Sequence, residues 1–245
     1  MLRRSLGLLI IAATAAGTAR AQTNIDPAHK SAWGENIGWL NWHDANGGAD
    51  AVRVHATFMG GFAWAENVGW LNLGGGRPAN GTAYANANAT DFGVNIDPST
   101  GNLFGLAWGE NIGWLNFDTR TALGPNSQQA RLDYVTNRFR GYAWGENVGW
   151  INLDDATRYA AYVPTACRTP FADTDGDGDG DQDDFGKFQA CLSGANRPAP
   201  YGCECFDRPE TGFPHGDNDV DLDDLAKFVN CISGPHIPLN PACAN

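Results

Sequence analysis

Cysteine is missing from the first two thirds of this 245-residue chain; Cys167, Cys191, Cys203, Cys205, Cys231 and Cys243 all fall in the last third. Disulfides therefore cannot hold the earlier region, and an even number late in an exported chain fits stapling. No C-x2-C partner accompanies Cys203 and Cys205, which argues against zinc. Basic residues are scarce too, 16 Lys and Arg against 28 Asp and Glu, for a net charge of -12. Such a balance repels phosphate backbones and favours cations, so nucleic acid is excluded as a partner. No apolar run reaches the length of a membrane span, which excludes membrane insertion by a helix. No Ser-His-Asp arrangement, phosphate-binding glycine loop or metalloprotease helix is present, so the chain is read as a non-enzyme.

The first 21 residues, "MLRRSLGLLIIAATAAGTARA", combine a basic start, a short apolar run and small residues at Ala19 and Ala21. This predicts a secretory signal peptide (residues 1–21) cleaved before Gln22, and a secreted or cell-surface protein.

Residues 22–166 alternate apolar and polar positions at a period of two, which is the pattern of strands. One phrase occurs four times: "SAWGENIGW" from Ser31, "FAWAENVGW" from Phe62, "LAWGENIGW" from Leu106 and "YAWGENVGW" from Tyr142. Eight of the nine tryptophans lie in these copies, and Trp42 stands just beyond the first. A short alternating run precedes each later copy, as in "FGVNI" before the turn "DPSTGN", so one unit predicts a three-stranded meander. The first unit has little room for its leading strand. Repeats of this size stack and share a core. The expected fold is mainly β, four repeated meanders as a closed barrel or propeller-like ring or as an open sandwich, with closure favoured because open edges are a hazard.

Residues 167–245 read differently. They hold 15 Asp and Glu against 5 Lys and Arg. Two segments, "DGDQDDFGKFQACLSG" from Asp179 and "DNDVDLDDLAKFVNCISG" from Asp217, each lead from aspartates into an apolar pattern at helical spacing: Phe185, Phe188, Cys191 and Leu192, then Leu225, Phe228, Cys231 and Ile232. Gly194 and Gly234 are expected to end the helices. In "DTDGDGDGDQDD", Asp173, Asp175 and Asp177 take positions 1, 3 and 5 of a twelve-residue loop, Gly178 position 6, Asp181 position 9 and Asp184 position 12. Alternate short carboxylates around a glycine turn suit calcium, with Asp179 at position 7 offering its carbonyl. The second loop, counted the same way, has Asp217, Asp219, Asp221 and Asp224 at positions 5, 7, 9 and 12, but Phe213 and His215 at positions 1 and 3, where neither suits the ion. These four aspartates form a weaker candidate set.

The duplicated loop-helix segments resemble a bacterial dockerin, a small EF-hand-like, calcium-folded module that docks onto cohesin domains in polysaccharide-degrading assemblies. Aspartate at position 12 is typical of dockerins. The resemblance implies calcium at Asp173, Asp175, Asp177, Asp181 and Asp184 and a cohesin-like or other extracellular partner. Dockerins often read the cohesin with small hydroxyl residues at positions 10 and 11. Here those positions hold Gln182 and Asp183, then Leu222 and Asp223, a departure. The cysteines imply a disulfide-braced variant, with Cys191 and Cys231 reaching back to the loop starts near Cys167 and Cys205. Gly180, in place of a branched apolar residue at position 8, implies a weakened contact between loops.

For the repeated phrase, an even-length turn centred on Glu35 and Asn36 would set Trp33 opposite Gly38, and likewise Trp64 with Gly69, Trp108 with Gly113 and Trp144 with Gly149. This pattern predicts indoles packed over glycines inside a core. Trp42, outside the shared pattern, is the candidate for an exposed, sugar-facing ring. Glu35, Glu66, Glu110 and Glu146, one per turn tip, fit a turn role better than catalysis, with Asn taking the left-handed conformation. The expected function is protein attachment through the calcium module. A carbohydrate-binding or polysaccharide-degrading component is the first alternative and a purely structural envelope protein the second.

Overall fold

The computed structural model describes residues 23–123, 128–164, 170–200, 202–211, 213–240 and 242–243. The signal-peptide reading, the boundary at 166–167 and Cys167 fall outside them. Each repeated phrase forms a hairpin: β1 (Ile25–Gly34) with β2 (Gly38–Asn41), β5 (Phe62–Ala65) with β6 (Gly69–Asn72), β8 (Leu103–Gly109) with β9 (Gly113–Asn116), and β12 (Tyr142–Gly145) with β13 (Gly149–Asn152). β2 pairs β5, β6 pairs β8, β9 pairs β12 and β13 returns to β1, all antiparallel. The result is a closed eight-stranded barrel with no open edge.

The leading strands pack outside this barrel. They are β3 (Arg53–Val54) with β4 (Met59–Gly60), β7 (Val94–Ile96) against β8, and β10 (Arg131–Asp133) with β11 (Arg138–Arg140). The one-turn helix α1 (Arg120–Leu123) lies between β9 and β10. The first unit borrows its leading strand from the end of the region: β14 (Ala160–Tyr162) pairs both β1 and β11.

The interior is built in layers of four, one residue per hairpin. Ile37, Val68, Ile112 and Val148 close the tip end. Gly34, Ala65, Gly109 and Gly145 follow, then Ala32, Ala63, Ala107 and Ala143, then Leu40, Leu71, Leu115 and Ile151. Trp42, Leu73, Phe117 and Leu153 close the other end. An eight-stranded barrel is just wide enough for side chains to fill it. The gap left beside the lower layers is about 10 Å³, too small to hold a ligand.

Trp42 is thus the buried tryptophan, 1% exposed and packed on Phe139 at 5.0 Å, and the expectation of a sugar-facing ring there is overturned. It occupies the position that Leu73, Phe117 and Leu153 take in the other units. The eight tryptophans of the phrase are not the core. Seven are 37–49% exposed and Trp39 is half-buried. The cause is a one-residue change of register. Trp33 pairs Trp39 and Gly34 pairs Gly38, so the loop has three residues. Ile37 N–H closes the turn on the Gly34 carbonyl, and Gly38 then takes φ +73°. The equivalent Gly69, Gly113 and Gly149 take φ +77° to +86°. A type I turn followed by a left-handed glycine fixes this geometry, and the slip carries both indoles of a hairpin to its outer face. Glycine, not Asn36 or its equivalents, supplies the left-handed residue.

The tips lock one another around the ring. Asn36 Nδ2 donates to the Val148 carbonyl at 3.1 Å, Asn147 Nδ2 to Ile112 at 3.0 Å, and Asn111 Nδ2 to Val68 at 3.0 Å. The Asn67 backbone N–H completes the circle on the Ile37 carbonyl at 3.2 Å.

The C-terminal module has a separate core around α2 (Gln182–Cys191) and α3 (Leu222–Val229), with Phe188 and Phe228 4.7 Å apart at its centre and Phe171, Phe206, Val220 and Leu239 around them. Leu192 and Ile232, the last members of the two apolar patterns, point outward instead, at 42% and 43% exposure. The helices stop before them, and Gly194 and Gly234 follow with φ +80° and +96°. Disulfides join Cys191 to Cys203 and Cys231 to Cys243. The expected reach back to the loop starts is therefore corrected: each helix end is stapled forward, to a cysteine twelve residues later. Cys205 is disulfide-bonded as well. Disulfides of this kind fit an oxidising compartment, and among the described residues no helix is long and apolar enough to cross a membrane.

Candidate metal centre

Both helices start in the same way. Asp181 is the N-cap of α2; it accepts the Asp183 N–H, and Asp184 reaches back to accept the Asp181 N–H at 3.0 Å. Asp221 and Asp224 repeat this reciprocal box on α3, with the Asp221 N–H to Asp224 at 2.9 Å. Two orphan amides are satisfied at each helix start, and the negative charge meets the positive end of the helix.

In the first loop, three aspartates close Asx-type turns: Asp173 accepts from Gly176, Asp175 from Asp177 and Asp177 from Asp179. Their carboxylates gather as one group, Asp173, Asp175 and Asp177, and those of Asp179, Asp181 and Asp184 as another; in each the oxygens lie within 4.8 Å of one another. Burial opposes charge on Asp184, 1% exposed, yet hydrogen bonds from Asp181, Thr174 and Asp175 hold its carboxyl below the ordinary range. One oxygen of the Asp179 side chain accepts the His236 N–H, and the other is buried without a hydrogen-bond partner.

The second loop gathers Asp219, Asp221 and Asp224. It does not begin at Phe213. The Arg208 N–H donates to Asp224 Oδ1 at 2.7 Å, as the Thr174 N–H donates to Asp184 Oδ1 at 2.7 Å. Arg208 therefore corresponds to Thr174, and Asp207 to Asp173. Gly216 (φ +88°) matches Gly176 (φ +85°), Asp217 matches Asp177, and Asn218 (φ +77°) matches Gly178 (φ +94°). The stretch from Pro209 to His215 replaces the single residue Asp175, so position 1 is filled and position 3 is displaced by an insertion. Asp207 accepts the Asn218 N–H at 2.9 Å and packs so closely on Gly216 that a Cβ there would meet its carboxylate at 2.0 Å.

Asp207 is the residue that counting twelve back from Asp224 misses. The visible signal was the repeated Gly-Asp-x-Asp of residues 176–179 and 216–219, together with a buried apolar residue, Ala172 or Phe206, just before each first aspartate. Burial pushes the Asp207 carboxyl up to about 8, and Asp224 and Asp217 beside it add to the rise. Its Oδ1 is buried with no hydrogen-bond partner, as is that of Asp219, whose carboxyl burial pushes up to about 6. Crowded, desolvated carboxylates with unused oxygens are what a hard cation satisfies. The donor set, all oxygen and all short carboxylate, fits calcium; Asp173, Asp175, Asp177, Asp179, Asp181 and Asp184 could hold one ion, and Asp219, Asp221 and Asp224 with the neighbouring Asp207 and Asp217 a second.

The two loop-helix units brace each other crosswise. Ser193 and Gly194, after α2, donate to the Val220 carbonyl of the second loop; Ser233 and Gly234, after α3, donate to the Gly180 carbonyl of the first. Gly180 has a steric reason, because a Cβ would come within 2.8 Å of Leu239 Cδ2. The module touches the barrel through an Arg53–Glu204 ion pair and a Tyr134–His215 ring contact at 4.1 Å. A cleft of about 950 Å³ between the two is lined by Arg53, Arg77, Arg197 and Phe62, and by none of Glu35, Glu66, Glu110 and Glu146. Those glutamates are exposed, one per barrel tip. No known protein family, curated protein or solved structure matches the chain.

Proposed function

We propose that this is an exported, non-enzymatic protein whose C-terminal module, folded on calcium in the manner of a dockerin, attaches the barrel to an extracellular partner protein. The observation that carries this reading is the outer face of α3. Leu222 is 74% exposed and Val229 54%, with exposed Ala226 between them, an i, i+4, i+7 apolar stripe on a helix whose start is tied to the second acidic loop. The matching face of α2 carries Gln182, Gly186 and Gln189, so the two-unit module offers one docking helix, not two. An apolar helical stripe of this kind fits a hydrophobic groove on a partner. Leu222 stands at position 10 of its loop, where dockerins read their cohesins. The non-enzyme reading is supported by the four tip glutamates, each exposed at its own hairpin tip and none lining the cleft.

The test is a surface-bound panel of cohesin domains and cell-envelope proteins probed with the full chain. Binding should require calcium and be lost in Leu222→Asp/Val229→Asp, a variant that keeps its calcium. Binding indifferent to both changes would contradict the proposal. Polysaccharide hydrolysis abolished by Glu110→Gln or Glu146→Gln would overturn its non-enzymatic part.

A further inference from the structure

The barrel carries a belt of tryptophan on its outer wall, outside the filled interior layers. Trp33 and Trp39, Trp64 and Trp70, Trp108 and Trp114, and Trp144 and Trp150 are direct cross-strand pairs, with ring centroids 4.7–4.9 Å apart and planes tilted by 55–72°. Across the neighbouring strand, the first tryptophan of each pair meets an asparagine in register: Asn152 beside Trp33, Asn41 beside Trp64, Asn72 beside Trp108 and Asn116 beside Trp144. Each asparagine oxygen accepts a backbone amide just downstream, from His43, Gly74, Asp118 or Asp154, which fixes the amide plane. Asn41 Nδ2 is spent on Asp44, whereas the Nδ2 groups of Asn72, Asn116 and Asn152 have no acceptor among the described residues.

We infer that this belt binds neutral polysaccharide, each hairpin offering one site. Three have an unspent amide donor across the neighbouring strand, and the Trp64–Trp70 site, where Asn41 is held by Asp44, relies on its more exposed rings. An indole face next to an oriented, unspent amide donor matches a sugar ring, which has an apolar C–H face and a rim of hydroxyl oxygens. Apart from Asp26, His29 and Lys30 on the long strand β1, the belt's strands carry no acidic or basic side chain, and a chain of net charge -12 disfavours acidic glycans. A lipid bilayer does not fit: six of the eight barrel strands have four residues and span about 14 Å, short of the ~25 Å apolar band of a membrane barrel, and asparagine lines the belt. A second copy of the chain does not fit either, because one flat contact would cover one side of a belt that runs around the whole barrel.

Successive pairs lie two strands, about 10 Å, apart around a curved wall, so they face different directions. No straight glycan can lie on all four. Each site is therefore weak alone, and strong retention needs a surface with many chains. The sites are unequal. Phe92 packs on the edge of Trp114 at 5.1 Å and Arg158 lies 4.9 Å over Trp39, while Trp64 and Trp70 are the barest pair, Trp70 being 49% exposed.

The full chain, with calcium present, is to be mixed with insoluble cellulose, chitin, mannan and xylan, and with phosphatidylcholine vesicles as a competing surface. Retention is expected on at least one glycan and not on vesicles. Soluble hexasaccharides of the retained glycan should compete on the order of a hundredfold less well per sugar. Trp64→Ala/Trp70→Ala should weaken retention several-fold, and replacing Trp39, Trp70, Trp114 and Trp150 together should abolish it while a circular-dichroism melt still shows a folded barrel. If that variant does not fold, acrylamide quenching of the unaltered protein decides: glycan must shield the exposed indoles and leave the quenching of buried Trp42 unchanged. Retention on no glycan, equal retention by the variants, unshielded indoles, or preference for vesicles would overturn the inference.

Discussion

The barrel and the C-terminal module are held together by opposite means. The barrel stacks apolar side chains in complete layers, closes every strand edge and contains no cysteine among its described residues. The module surrounds a small phenylalanine core with acidic loops, and its helices are tied down by disulfides and, as proposed, by calcium. Repetition serves a different end in each. Four hairpins are needed to make one barrel interior, so each is incomplete alone. Two loop-helix units instead brace one another crosswise, through Val220 and Gly180. A chain can therefore spend its apolar residues where closure makes them sufficient, and use covalent and ionic staples where its surface is mostly carboxylate.

Separate unfolding would sharpen this contrast most. Removing calcium and reducing the disulfides should unfold the module entirely. The staples contribute about 2–5 kcal/mol per disulfide, and calcium ~4 kcal/mol at a thousand times its Kd. The barrel should keep its melting temperature, and differential scanning calorimetry with and without chelator and reductant reads both transitions. A single transition moving as one would break the comparison. Trp42→Ala should do the reverse, destabilising the barrel by about 3–5 kcal/mol in a denaturant titration and leaving calcium binding untouched. Gly180→Ala, which crowds Leu239, should cost the module about 1–3 kcal/mol on the same titration. Asn111→Ala, which removes one tip-to-tip hydrogen bond, should cost the barrel only about 0.5–1.5 kcal/mol, and hydrogen exchange at the Val68 and Ile112 tips should report the local loosening.

The hairpins, their number and the closure of the sheet were legible from the repeated phrase and from the hazard of open edges. The side of the sheet that the tryptophans occupy was not. It hangs on whether the tip has two loop residues or three, and a left-handed Gly38 decides that by one position, which exchanges the inner and outer faces. Trp42 was misplaced for a related reason: its equivalents are Leu73, Phe117 and Leu153, so a search for tryptophan alone hides the layer to which it belongs. In the module, the first loop reads directly because its spacing is uninterrupted. The second was obscured by the stretch Pro209–His215, which separates Asp207 from Asp217 in sequence while the fold keeps Asp207 against Gly216 and beside Asp224. The disulfide partners Cys203 and Cys243 follow their helices by equal intervals, a regularity visible in the sequence once the two units are aligned.

The most direct test of the calcium-built module is the number of ions it holds. Native mass spectrometry of the full chain, with calcium titrated from chelator, should show two bound ions. Asp207→Asn should remove one and Asp184→Asn the other, and Phe213→Ala should remove neither. One ion in the unaltered protein, or two retained in Asp207→Asn, would contradict a second loop that begins at Asp207.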